Sequence, residues 1–195
     1  MQFLETIRLE NGRFYHLDWH QKRVEKVFRT FFKGVLVFNL KALLHNVLTP
    51  KEGLFRVRIV YDVIVNEISF IPYRAKKVEK LIVKNSDFAY QHKFEDRSCF
   101  EPVAPKLCDY LYHKEGVVKE SSIANIAFFD GKQWETALFP YLKGTTRARY
   151  IASGWLVEKH ITLDDLVKYK KVAMMNAMVG FVELGKCSDI LSHKA

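Results

Sequence analysis

Apolar and polar positions interleave from the start of the chain in the manner of a strand. Residues 2–9 read QFLETIRL, and Asn11-Gly12 ahead of Arg13-Phe-Tyr-His16 predicts a type I′ hairpin. The period then lengthens. Leu17-Asp18 offers an N-cap, and Trp19, Val24, Val27, Phe28, Phe31 and Phe32 recur at helical spacing to about Lys33. A second helix is expected from Leu40 to Leu48, with Asn39 as its cap and Pro50 as its stop. From Leu54 the strand pattern returns in three consecutive runs, Leu54 to Tyr61, Val63 to Phe70 and Lys80 to Lys84, which read as an antiparallel sheet.

Two helices over a sheet make an α+β unit over residues 1–84. Residues 85–92 are polar and follow neither period, so they are expected to link it to a second unit over residues 93–195. That unit carries strands near 108–113, 116–120, 124–129 and 133–136. A helix from about Thr145 to Leu156, a short helix after a Thr162 cap and a strand from Lys171 to Asn176 complete it.

A chain of 195 residues, 49% hydrophobic and 14% aromatic, can bury one core or two small ones and is not a disordered chain. Cys99, Cys108 and Cys187 are widely spaced and odd in number, which suits free thiols in a reducing compartment and gives no metal-ligand spacing. Charge at residue 5 argues against a signal peptide, and no apolar run approaches the ~18 residues that span a bilayer. The expectation is a cytoplasmic protein without a membrane partner. The net charge of +9, from 31 Lys and Arg against 22 Asp and Glu, suggests an anionic partner or simply a solvated basic surface. The densest basic runs, Arg74 to Lys80 and Lys168 to Lys171, are short and lack the aromatic interleaving of a nucleic-acid groove, so a small anionic molecule explains the excess as well.

Four local features carry candidate chemistry. Lys93 lies beside the expected linker, where a desolvated lysine can lose its proton and attack a carbonyl, although most lysines are solvated charges. Glu120 falls between two apolar strands, and a buried carboxylate there needs a cationic or protonated partner such as a pyridinium nitrogen; a solvated edge strand would read the same way. Gly144-Thr-Thr-Arg147 opens a helix with amides and hydroxyls suited to a phosphate, or with an ordinary threonine cap. Lys171 to Gly180 is an apolar strand ending in Asn176 and small residues.

In order and spacing these features resemble the class IV aminotransferase superfamily, the fold type IV pyridoxal-phosphate enzymes, over nearly the whole chain. The resemblance begins in the strand Phe3-Leu-Glu-Thr-Ile-Arg8 and continues in Leu17-Asp-Trp-His20-Gln-Lys-Arg23 and His92-Lys-Phe-Glu-Asp-Arg97. It ends with Gly116-Val-Val-Lys-Glu120 through Asn125 and with Gly144 to Arg147. It implies a two-domain α+β fold, with a small α/β sandwich followed by a mixed-sheet pseudo-barrel with flanking helices. It also implies pyridoxal 5′-phosphate as cofactor, a small anionic amino substrate, and a homodimer.

By this resemblance Lys93 carries the cofactor and exchanges the proton at the substrate carbon, with Thr6 as a candidate hydroxyl relay. Arg23, Glu120, Ser121, Asn125, Thr145 and Thr146 are the cofactor-binding set. Arg56, Arg58, Arg97 and Asn176 are the candidates for the substrate; Arg56 and Arg58, two apart in a strand, share a face. Arg97, Ser98 in place of a tyrosine, and Met174-Met-Asn176-Ala-Met lean toward the 4-amino-4-deoxychorismate lyase branch. A transaminase for D-amino or branched-chain acids is the alternative enzyme, and a basic polyanion-binding protein the alternative outside enzymes.

Overall fold

The computed structural model describes residues 1–100 and 102–192. The chain forms two compact units, one of residues 1–75 with 92–96, the other of residues 76–91 with 97–195.

The first unit opens with β1 (Phe3–Glu10), which turns through Asn11 and Gly12, both at positive φ, into β2 (Arg13–Phe14). This is the expected two-residue hairpin, whose left-handed turn positions match the twist of the paired strands. Helix α1 (Leu17–Phe31) follows, then α2 (Leu40–His45), β3 (Leu54–Tyr61) and β4 (Val65–Pro72), giving the sheet order β2-β1-β3-β4. The cap of α1 is not Leu17-Asp18 but His16, held at φ 58° with its carbonyl accepting from Trp19 N; Asp18 lies in the first turn, where a negative charge meets the positive end of the helix dipole. Asn39 caps α2 as expected, its Oδ1 accepting from Ala42 N at 2.9 Å, although the helix stops at His45. One face of the sheet, with Phe3, Ile7, Leu9, Val57 and Ile59, packs on Val24, Val27, Phe28, Leu40 and Leu44. Each such fully buried side chain stabilises the unit by about 1.5–3 kcal/mol relative to exposure.

The second unit begins with β5 (Lys80–Asn85), which sequence periodicity assigns to the first sheet. It pairs instead in parallel with β6 (Cys108–Lys114), as a buried strand alternating Leu81 against a polar neighbour can do in either setting. Residues 86–91, expected as linker, belong to this unit, and Ser86 is bonded through its amide and hydroxyl to His113 O.

After β6 come β7 (Val117–Ser121), β8 (Asn125–Phe129), β9 (Trp134–Ala137), α3 (Thr145–Ala152) and β10 (Leu156–Lys159). Then follow β11 (Lys171–Asn176), β12 (Gly180–Lys186), α4 (Cys187–Ile190) and β13 (Leu191–Ser192). They build a five-stranded sheet β10-β9-β8-β11-β12 and a four-stranded sheet β13-β5-β6-β7, with parallel pairs among antiparallel ones in both. Helix α3 ends earlier than its apolar residues suggest because Gly154, at φ 74°, bonds back to Ile151 O and turns the chain into β10. The segment after Thr162 is a 3-10 turn rather than an α-helix. Among the described residues no helix is long and apolar enough to cross a membrane.

Candidate active site

In the second unit the candidate residues converge on the ends of β7 and β8 and the start of α3. Glu120, 5% exposed on β7, accepts through Oε2 from Asn125 Nδ2 at 3.0 Å and from Leu142 N at 2.9 Å. Asn125 also donates to Leu142 O at 2.8 Å and accepts at Oδ1 from Gly144 N at 3.1 Å. One carboxamide thus fixes the buried carboxylate and the loop that leads into α3. A Cβ on Gly144 would lie 2.3 Å from Asn125 Oδ1, so only glycine lets the loop approach this closely.

Among the described residues no side-chain hydrogen bond caps α3, and Thr145 and Thr146 are buried in its first turn. The first amides of a helix have no intrahelical acceptor, so this turn presents N–H donors and the positive end of the helix dipole. Arg147 anchors the turn from below, donating to Ala137 O at 2.8 Å and to Glu158 at 2.6 Å.

The remaining candidates of this unit surround the turn between β7 and β8. The Ser121 hydroxyl donates to Ala124 O at 3.1 Å and accepts from Ala124 N at 3.0 Å. Arg97 donates to Ser122 O at 2.5 Å and lies over the Phe100 ring at 4.7 Å. Asn176 donates to Ile123 O at 3.2 Å while its Oδ1 accepts from Met178 N and Val179 N. All three hold the backbone of the same turn.

The first unit carries the other candidates. Leu4 N donates to Lys93 O at 2.8 Å and Glu95 N to Gln2 O at 3.0 Å, so the Lys93 segment is paired along the edge of β1. Arg23, on α1, is forked onto Glu5: Nε donates to Oε1 at 2.7 Å and Nη2 to Oε2 at 2.6 Å. Glu5 is fully buried, and its Oε2 also accepts from His20 Nδ1 at 2.5 Å. Burial alone would raise the Glu5 pKa, but the Arg23 charge and the hydrogen bonds from His20 and Arg23 bring it down to about 2. Burial pushes His20 below its ordinary value against the pull of Glu5, with the charges of Arg23 and Lys93 acting the same way as burial. The ring is therefore neutral, with its Nδ1–H facing the carboxylate.

Sequence reading gave Glu5 and His20 no role. Their signal lies in the pattern: Glu5 shares the two-residue period of Phe3, Ile7 and Leu9, and His20 the helical spacing of Val24 and Val27, so both polar groups fall on faces that are otherwise core.

On the opposite face of the sheet lie Thr6, Arg56 and Arg58, with Thr6 directly across from Arg58. Arg58 is engaged by Glu67 at 2.7 Å and Glu95 at 2.5 Å. The Nε of Arg56 is buried and has no hydrogen-bond partner among the described residues.

The residues of the second unit fit pyridoxal phosphate: a buried carboxylate oriented by two donors, and a helix start cradled against Asn125 by a glycine, suit its ring nitrogen and its phosphate.

Comparison with known proteins gives the same direction. Residues 109–187 match the family described as amino-transferase class IV. An uncharacterised Haemophilus influenzae protein is 31% identical over 182 residues, 90% of this chain and 97% of that protein. A solved Haemophilus somnus protein, provisionally named a 4-amino-4-deoxychorismate lyase, is 27% identical with a TM-score of 0.78, over 92% of this chain and 97% of its own. A hypothetical aminotransferase of Mycobacterium tuberculosis, solved with pyridoxal phosphate bound, is 14% identical and shares the fold, with a TM-score of 0.78 over 98% of this chain and 81% of its own. The matched region runs from β6 to the start of α4 and so contains the Glu120, Asn125 and α3 frame; with a relative alike over nearly its full length, it makes this α+β chain an enzyme of the class IV aminotransferase family.

Proposed function

We propose that the protein is a pyridoxal-phosphate-dependent lyase that converts 4-amino-4-deoxychorismate to 4-aminobenzoate and pyruvate, a reaction of folate synthesis. The observation that carries the cofactor reading is the Asn125 carboxamide, which ties a buried carboxylate to a helix start able to hold a phosphate. The lyase outcome draws on Arg97 and Ser98 and on the likeness to the Haemophilus somnus protein.

In this reading the Thr145 and Thr146 amides and hydroxyls, together with the Arg23 guanidinium, bind the phosphate. Glu120 holds a proton on the ring nitrogen. When bound, pyridoxal phosphate supplies an electron sink for charge developing at the substrate's amino-bearing carbon. The Lys93 amine takes the proton from that carbon. The bond from the neighbouring carbon to the enolpyruvyl oxygen then breaks; the ring becomes aromatic and the leaving enol becomes pyruvate. Arg56 is the better placed arginine for a substrate carboxylate, since Arg58 already has two carboxylate partners. The active form is a homodimer in this proposal, which light scattering checks.

Purified protein incubated with pyridoxal phosphate should gain a visible absorption band that Lys93→Ala lacks. With aminodeoxychorismate it should release pyruvate. Amino transfer to 2-oxoglutarate without pyruvate would instead assign a transaminase, and a protein that stays colourless would remove the cofactor reading.

A further inference from the structure

A carboxylate in an apolar core is costly, because taking the charge out of water costs several kcal/mol that its partners must offset. Glu5 stands fully buried on the sheet face that otherwise packs Phe3, Ile7 and Leu9 against α1. An apolar side chain would fill that place at less expense, so its charge calls for a separate account. Its two oxygens are both used. Oε1 accepts from Arg23 Nε, and Oε2 accepts from Arg23 Nη2 and His20 Nδ1. A guanidinium gripped through two N–H groups cannot rotate about its last bonds, so its plane and the direction of its outer edge are fixed. His20 and Arg23 lie three apart on α1 and reach the same carboxylate, which makes His20 the brace that stops Glu5 from following Arg23. The Arg23 side chain keeps 13% of its exposure, so a fixed edge of it reaches the surface of the unit.

The same strand registers the lysine segment. Leu4, the residue before Glu5, donates its amide to Lys93 O. Consecutive residues of β1 therefore set the position of the segment that bears the amine and the orientation of the arginine.

We propose that Glu5, braced by His20, is a positioning residue that orients the Arg23 guanidinium for the phosphate of the cofactor. The proposal rests on the cofactor reading above. It predicts a loss that is confined to the phosphate, whereas a merely structural role of Glu5 would weaken every ligand alike.

The test compares the dissociation constants of pyridoxal phosphate and of pyridoxal, which lacks the phosphate, by absorbance titration of the full chain. Wild type should favour pyridoxal phosphate. In Glu5→Gln that preference should fall by about tenfold, the value of one charge-assisted hydrogen bond, while pyridoxal affinity changes by less than about twofold. Glu5→Asp retains the charge but retracts it by one carbon, so it should fold even where the glutamine variant does not, and it should lose the same preference. His20→Asn should show a smaller loss in the same direction. Equal weakening of both ligands, or an unchanged preference in Glu5→Asp, overturns the proposal and leaves the cofactor reading standing. Wild type that binds neither compound overturns both.

Discussion

The contact between Gly144 and Asn125 supports a double-mutant cycle in which one substitution changes its effect with background. Gly144 has φ −65° and ψ 152°, a region that alanine occupies without strain, so the backbone does not demand glycine there. Space does: the added Cβ would meet Asn125 Oδ1 at 2.3 Å. Asn125 cannot swing aside without giving up its bonds to Glu120, Leu142 O and Gly144 N. Gly144→Ala should therefore cost about 2–3 kcal/mol, as overpacked interiors do. In a chain of this size that lowers the melting temperature by about 4–12 °C. Asn125→Ala removes one hydrogen bond to a charged group and two to the backbone, for a loss of about 3–5 kcal/mol. With the carboxamide gone, the clash goes too. Gly144→Ala made on Asn125→Ala should then be neutral or stabilising by about 0.4–1 kcal/mol, because alanine lowers the entropy of the unfolded chain. Chemical or thermal unfolding of the four proteins reads the coupling, expected at about 2–4 kcal/mol. If Gly144→Ala costs the same in both backgrounds, the steric account of the loop is wrong.

Two further outcomes follow from buried charge. Glu5 has its folded pKa near 2 against an ordinary 4.5, and burial lowers that of His20 from 6.5, so on the acid side the folded chain binds fewer protons than the unfolded one. Stability present at neutral pH should therefore fall below pH 6.5 through His20, and again between pH 4.5 and about 2 through Glu5. Thermal melts across that range check it, and Glu5→Gln should flatten the lower limb. Glu158→Ala leaves the buried Arg147 guanidinium with Ala137 O but without its carboxylate. Since Glu158 is one-third exposed, the loss should be about 2 kcal/mol, below that of a fully buried pair, and calorimetry against wild type measures it.

Local chemistry made some of this legible in the sequence and topology hid the rest. The Asn11-Gly12 turn, the Asn39 cap and the strands from β6 to β9 and β11 follow from the positive φ, capping and period-two rules, which act within a few residues. The pattern places strand β5 in the first sheet, because Lys80 to Lys84 carries the same alternation whichever neighbour it pairs with, and its partner β6 lies more than twenty residues away. Strand β10 buries only Leu156 of its four residues, so nothing in its polarity marks a strand; its parallel partner β9 defines it. The αL cap at His16 escapes the sequence for another reason. The His16 side chain makes no cap hydrogen bond, so the usual side-chain signal of an N-cap is missing there.

The candidate site shows a deeper limit. Sequence motifs mark polar residues of a site without saying whether the polar atoms face the ligand or the protein. Ser121, Arg97 and Asn176 each bond the backbone of the turn at residues 121–124, and Asn125 uses both ends of its carboxamide on Glu120 and the loop before α3. Backbone carbonyls and amides outside regular strand or helix pairing need partners, and these four side chains supply them. Their work is to keep irregular backbone in one conformation next to a buried carboxylate. In the proposed function the chemistry then falls to fewer groups than the motifs suggest: Glu120, the first turn of α3, Lys93 and Arg23. Substitutions at the four holding residues should consequently lower stability and cofactor affinity together, whereas Lys93→Ala should remove the absorption band.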